Sequence, residues 1–94
     1  MPPVDAAFKD WFGVMPAGAT VLAALYAAQG TEVHHTALLG IAGPRGVERI
    51  MASLTEALDE GAFTESPGGY ALTAAGQAEC DLAIAEFAAV QLRA

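Results

Sequence analysis

The stretch Glu60–Gly76 reads EGAFTESPGGYALTAAG, and it decides the fold of this chain. Two short segments of alternating character flank a turn made by Pro67, Gly68 and Gly69, which is typical of a β-hairpin. Thr73 then stands where a helix N-cap is preferred, directly before a run rich in alanine. The stretch therefore predicts a strand, a turn, a second strand and the start of a helix.

The segment before the hairpin has the clearest helical periodicity in the chain. Its apolar residues recur at intervals of three and four, at Val47, Ile50, Met51, Leu54 and Leu58. We expect a helix over Pro44–Glu60, because proline suits the first position of a helix and Gly61 ends it. A two-turn helix over Ala37–Ala42, capped by Thr36, precedes it across the turn at Gly43. Two short helices joined by a tight glycine turn are typical of a helix-turn-helix.

Further segments are predicted on the N-terminal side of this helix pair. Val4–Phe12 is amphipathic and is broken by Gly13 and Pro16. Ala19–Gln29 repeats apolar residues on one helical face. The β-branched residues within Thr31–His35 predict a small strand beside the hairpin.

The expected architecture is mainly α with a small β-hairpin, in a single domain over residues 1–94. It divides into an N-terminal helix and linker at 1–18, a core at 19–73 and a C-terminal helix at 74–94. The last helix is expected over Ala74–Leu92, and its apolar residues lie on more than one face. This spread predicts either burial on two sides, as in a dimer, or a helix packed only on its own domain.

The composition is acidic, with a formal net charge of -7 and only four Lys and Arg residues. Nucleic-acid affinity rests mainly on neutralising phosphates with basic side chains, so any such binding needs a local basic patch. No apolar run approaches the ~20 residues that span a bilayer, and the N-terminus lacks the pattern of a signal peptide. A single cysteine cannot form an internal disulfide, so a reducing cytoplasm is the expected compartment.

The order of these segments resembles the winged helix-turn-helix transcriptional regulators of the MarR and PadR type. The resemblance runs from Val21 to Gly76, with VLAALYAAQG, TALLGIAGPRGVERIMASLTEALDEGAF and GGYALTAAG as its landmarks. It implies a winged helix-turn-helix flanked by N- and C-terminal helices, in which the hairpin is the wing. It also implies a homodimer held by the terminal helices, with Pro44–Glu60 in the major groove of double-stranded DNA.

Arg45 and Arg49 are the candidate DNA-binding residues, with Ser53 as a weaker candidate one turn further on. At about 100° per residue the two arginines share the face opposite the apolar stripe. Like charges at this spacing repel, and a cation in the first turn opposes the helix dipole. A phosphate or a guanine edge would account for both features. The alternative is that both arginines are ordinary solvated side chains, with Arg45 paired to Glu48.

The hairpin departs from the wings of DNA-binding regulators, which usually carry Arg or Lys near the tip. Here the tip holds Glu65 and no base, so any DNA contact would rest on Arg45 and Arg49. Two functions therefore stay open at the level of sequence. One is a DNA-binding transcriptional regulator, and the other is an acidic winged-helix module that binds a protein partner instead of DNA.

Motifs for catalysis and for cofactor binding are missing from the sequence, so we expect neither an enzyme nor a cofactor. His34 and His35 are adjacent but lack the further ligands that a metal site needs. Cys80 has no basic neighbour, and we expect it to be a small packing residue.

Overall fold

The computed structural model describes residues 4–93, except for the side chains at positions 44, 45 and 93. Within this range the elements are α1 (Val4–Phe12), α2 (Pro16–Ala27), β1 (Val33–His34), α3 (His35–Leu39), α4 (Pro44–Ala57), β2 (Phe63–Ser66), β3 (Gly69–Leu72) and α5 (Ala74–Arg93). The domain is mainly helical, with a small three-stranded antiparallel sheet. The prediction of a mainly α fold with a β-hairpin is confirmed at this level.

β3 is the central strand of the sheet, with β1 on one side and β2 on the other. In the hairpin Ser66 pairs with Gly69, so the loop itself consists of Pro67 and Gly68. Gly69, which the sequence places in the turn, is the first residue of β3. A Cβ there would collide with the Val33 carbonyl oxygen, and glycine therefore lets β1 approach β3.

The core lies where α2 packs against α1, α4 and β3. The largest fully buried side chains are Phe8, Val21, Leu22, Leu25, Leu38, Leu54 and Cys80. Phe8 also packs edge-on against Tyr26, with 5.6 Å between the ring centroids. Burial of these side chains contributes to the hydrophobic stabilisation of the domain.

The apolar stripe of α4 faces this core, as its periodicity predicts. Val47, Met51, Leu54 and Leu58 are buried, and Ile50 is half-buried. The helix ends at Ala57 and not at Glu60, because Leu58 has an extended backbone with φ -105° and ψ 167°. Pro44 lies at the first position of the helix, where its missing N–H leaves no hydrogen bond unmade.

Two predicted helix starts differ from the structure. Pro16 was predicted to break the first helix, but it is also the first residue of α2. The second helix therefore begins at Pro16 and not at the predicted Ala19. Gly13 does end α1, in a left-handed conformation with φ 67°. α3 begins at His35 with no side-chain cap, so Thr36 lies inside the helix and does not cap it.

Thr73 joins the base of the hairpin to the start of α5. Its Oγ1 accepts a hydrogen bond from the Gly76 amide at 3.2 Å, which confirms the predicted N-cap. The same hydroxyl donates to the Gly61 carbonyl oxygen at 2.6 Å, and the Thr73 amide donates to Ala62 at 3.0 Å. The hairpin is thereby held between the end of α4 and the beginning of α5.

Candidate interaction surface

One long face of α4, opposite its buried apolar stripe, is exposed to solvent. Arg49 and Ser53, both predicted as DNA-binding residues, are exposed on this face one helical turn apart. The side chain of Arg45, the third predicted residue, lies outside the described part of the structure. Glu48 and Glu56 share the exposed face, so acids and a base alternate along it.

Arg49 and Ser53 lie on the side of α4 that faces α2. Together with Met15, Gly18 and Ile50 they line a shallow, mostly apolar depression of about 210 Å³. We call this set of residues the arginine flank. Met15 is 74% exposed here, so a base and a hydroxyl border an open apolar surface. The arginine flank does not include a residue of the hairpin.

A larger groove, of about 410 Å³, lies on the other side of α4, between that helix and the hairpin. We call it the acidic groove, and its lining residues are Glu48, Met51, Ala52, Thr55, Phe63, Thr64, Glu65 and Tyr70. It holds two carboxylates and no basic side chain. The groove between α4 and the hairpin is therefore negatively charged.

Tyr70 sits on β3 beneath this groove. The pKa of its hydroxyl is raised, first by burial and then by the carboxylates of Glu65 and Glu48. The ring packs edge-on against His35, with 5.2 Å between the centroids. The phenol of Tyr70 is therefore neutral at neutral pH, within the electrostatic influence of the carboxylates of Glu65 and Glu48.

A third carboxylate, that of Glu32, lies at the turn of the hairpin but does not line the acidic groove. Ser66 donates a hydrogen bond to Glu32, and the Gly68 carbonyl accepts one from the His35 amide at 3.0 Å. A Cβ at Gly68 would lie 2.5 Å from Glu32 Oε1, so the side chain of Glu32 covers the turn closely. Sequence reasoning missed Glu32, because only the antiparallel pairing of β1 with β3 brings it to the hairpin.

The residues considered as metal ligands or as a reactive thiol lie in other environments. His34 is exposed and His35 is half-buried. Within residues 4–93 no three His, Cys, Asp or Glu side chains come together as metal ligands. Burial raises the pKa of the Cys80 thiol to about 12, with smaller contributions from Glu79 and Asp81, so the thiol stays protonated at neutral pH.

No protein-family model matches the sequence, and neither a curated protein nor a solved structure gives a significant match. The resemblance to winged helix-turn-helix regulators therefore stays a prediction, with which the order of helices and strands is compatible. None of the helices between residues 4 and 93 has the length and hydropathy needed to cross a membrane.

Proposed function

We propose that this protein is a non-enzymatic interaction module with a winged-helix-like layout, and that its acidic groove binds a basic segment of another protein. The observation that carries this proposal is the position of Glu48 and Glu65 on opposite sides of the groove between α4 and the hairpin. The single buried thiol supports action in a reducing compartment such as the cytoplasm.

The electrostatics of the groove favour a cationic partner over a nucleic acid. Phosphates would meet Glu48 and Glu65 at close range, within the field of a chain whose net charge is -7. A Lys or Arg side chain would instead be attracted by both carboxylates, and its aliphatic stem would cover the half-buried Phe63. The neutral ring of Tyr70 offers a further contact for the cation.

The hairpin also offers a backbone site beside the groove. β2 is an edge strand, because β3 pairs with it on one side only. An extended segment can pair with such an edge through main-chain hydrogen bonds, while alternate side chains enter neighbouring pockets. We therefore expect the bound segment to be extended, with basic side chains at every second position.

This proposal is tested with a labelled, acetylated peptide of four Lys-Thr repeats, titrated with the protein at low salt. The double variant Glu48→Lys/Glu65→Lys should bind it at least about tenfold more weakly, a loss of about 1.4 kcal/mol. The control Asp10→Lys/Glu86→Lys makes the same change in net charge at exposed positions outside the groove. An equal loss in both variants would show that only net charge matters and would refute the proposal.

DNA binding is the second candidate function. It is favoured by the exposure of Arg49 and Ser53 on neighbouring turns of α4, and with Arg45 they are the predicted contacts. A homodimer would place two copies of α4 about 34 Å apart, in successive major grooves. The arrangement would resemble that of a transcriptional regulator.

Fluorescence anisotropy with a labelled duplex at low salt tests this second candidate. If it is correct, binding should weaken steeply with salt, and Arg49→Ala should abolish it. Glu65→Gln, in the hairpin, is the matched control and should leave binding intact or improve it. Absence of binding near ~100 μM protein would rule out DNA as the partner, because even non-specific binding is visible at that concentration.

A further inference from the structure

The acidic groove offers mainly hydrogen-bond acceptors to a ligand. Its lining side chains carry two carboxylates, three hydroxyls and no nitrogen. An ionised carboxylate only accepts hydrogen bonds. The hydroxyl of Thr55 already donates to the Met51 carbonyl oxygen at 2.7 Å, which leaves its oxygen as a further acceptor. A ligand that satisfies this groove must therefore bring several N–H donors as well as positive charge.

The two carboxylates of the groove act on one point between its walls. Glu48 lies on α4, and Glu65 lies on β2, where it pairs with Tyr70 of β3. Burial raises the pKa of the Tyr70 hydroxyl first, and the charges of Glu65 and Glu48 raise it further. Tyr70 is thus within electrostatic reach of both walls. A cationic group that lies over Tyr70 is therefore shared between the two carboxylates.

The shape of the cation decides how well it can be shared. A guanidinium is planar and carries five N–H donors, so that two of its edges can each pair with a carboxylate. An ammonium is a compact and strongly hydrated charge, which pairs with one wall and leaves the other to water. The flat face of a guanidinium also stacks on aromatic rings, and the half-buried Phe63 and Tyr70 line this groove.

We propose that the acidic groove selects arginine over lysine, with one guanidinium bridging Glu48 and Glu65. This inference rests on the proposed binding of a basic segment to the groove, and it names the residue which that segment must carry. The hydroxyl oxygen of Thr55 accepts a further N–H from the same guanidinium, on the α4 wall. Methylation of the bound arginine would keep its charge but remove N–H donors, and it would therefore weaken the complex.

Three labelled peptides test the selection of arginine. The peptide of four Lys-Thr repeats is compared at low salt with one of four Arg-Thr repeats, and with a third in which every arginine is asymmetrically dimethylated. The arginine peptide should bind at least about tenfold more tightly than the lysine peptide. The dimethylated peptide should fall to near the affinity of the lysine peptide, because it has the same charge and fewer donors.

The outcomes separate this inference from the proposed function. Equal affinity for the arginine and lysine peptides would overturn the selection of arginine and leave the binding of a basic segment standing. Unchanged affinity for the dimethylated peptide would also overturn it, because charge and stacking would then suffice. If none of the peptides binds, the proposed function fails, and the inference fails with it.

Single substitutions of the carboxylates test the bridge. Glu48→Gln and Glu65→Gln should each lower the preference for the arginine peptide over the lysine peptide at least about threefold, because the guanidinium loses one of its two charged partners. Glu86→Gln is the matched control, since it removes the same charge from an exposed position outside the groove and should leave the preference unchanged. A reduced preference in only one of the two groove variants would mean that the guanidinium pairs with a single wall, which contradicts the bridge.

Thr55→Val tests the third acceptor. Valine keeps the shape of the side chain and removes the hydroxyl, so the affinity for the arginine peptide should fall more than that for the lysine peptide. Thr20→Val is the matched control, because Thr20 donates to the Pro16 carbonyl oxygen at 3.0 Å in α2, through the same bond to the residue four positions earlier, and lies outside the groove. Circular dichroism should show unchanged helix content in both variants. An equal effect in both, or none in either, would contradict the role of Thr55.

Discussion

Two glycines within helices differ in whether the surrounding structure leaves room for a methyl group. Gly18 lies in α2, and a Cβ built there meets only Val14 at 3.5 Å and Ile50 at 3.9 Å, which are ordinary contacts. Gly76 lies in the first turn of α5, where a Cβ would collide with the Ala62 carbonyl oxygen at the base of the hairpin. The helical backbone is the same in both places, so the difference lies in the surroundings alone.

We predict opposite effects for the two alanine substitutions. Gly18→Ala should raise the free energy of unfolding by about 0.5–1 kcal/mol, because alanine loses less backbone entropy in a helix. Gly76→Ala should lower it by about 1–3 kcal/mol, because the added methyl forces the hairpin and α5 apart. Urea unfolding followed by circular dichroism measures both. Stabilisation by Gly76→Ala would mean that the hairpin base does not lie against α5.

At the scale of elements, the segments with strong local signals were predictable. The hairpin was predictable because a Pro-Gly-Gly turn lies between alternating residues, and α4 because its apolar residues repeat over several turns. The bounds of α3 were not, because a five-residue helix has little periodicity and His34 precedes it without a side-chain cap. The start of α2 was misplaced because proline both breaks helices and opens them.

The candidate site was predictable only in part, and the reason again lies in how the helices and strands pack. Helical geometry placed Arg49 and Ser53 on one exposed face of α4, and the structure agrees. The partners of that face come from distant segments, with Met15 on one side and Glu65 and Tyr70 on the other. The rotation of α4 relative to the hairpin is set only by long-range packing. The local sequence pattern therefore does not predict that the arginine flank and the acidic groove lie on different sides of α4.

At the scale of the whole molecule, two groups with raised pKa values, Tyr26 and Cys80, lie where α5 packs against the rest of the domain. Tyr26 on α2 donates a hydrogen bond to Asp81 on α5, and this bond is the main reason why the pKa of Tyr26 is raised from 10.0 to about 12. The neighbouring Cys80 is fully buried, and its pKa is raised from 9.0 to about 12, chiefly by burial. Both groups therefore bind protons more tightly in the folded state than in the unfolded state.

This linkage predicts that the fold weakens in alkaline solution. A raised folded-state pKa gives stability that is complete below the unfolded pKa, here 9.0 for Cys80, and that is lost as pH rises toward about 12. Cys80 alone should account for a loss of about 2–3 kcal/mol by about pH 11, because the unfolded chain releases the proton first. Urea unfolding at about pH 8 and pH 11 should show this loss in the native chain and a smaller one in Cys80→Ala.

Tyr26→Phe should also reduce the loss of stability, though less than Cys80→Ala does, because the Tyr26 hydroxyl is nearer to solvent. An equally steep loss of stability in Cys80→Ala would contradict the proposal that the buried thiol causes the alkaline sensitivity. The sensitivity would then arise from repulsion among the surface carboxylates and ionised tyrosines.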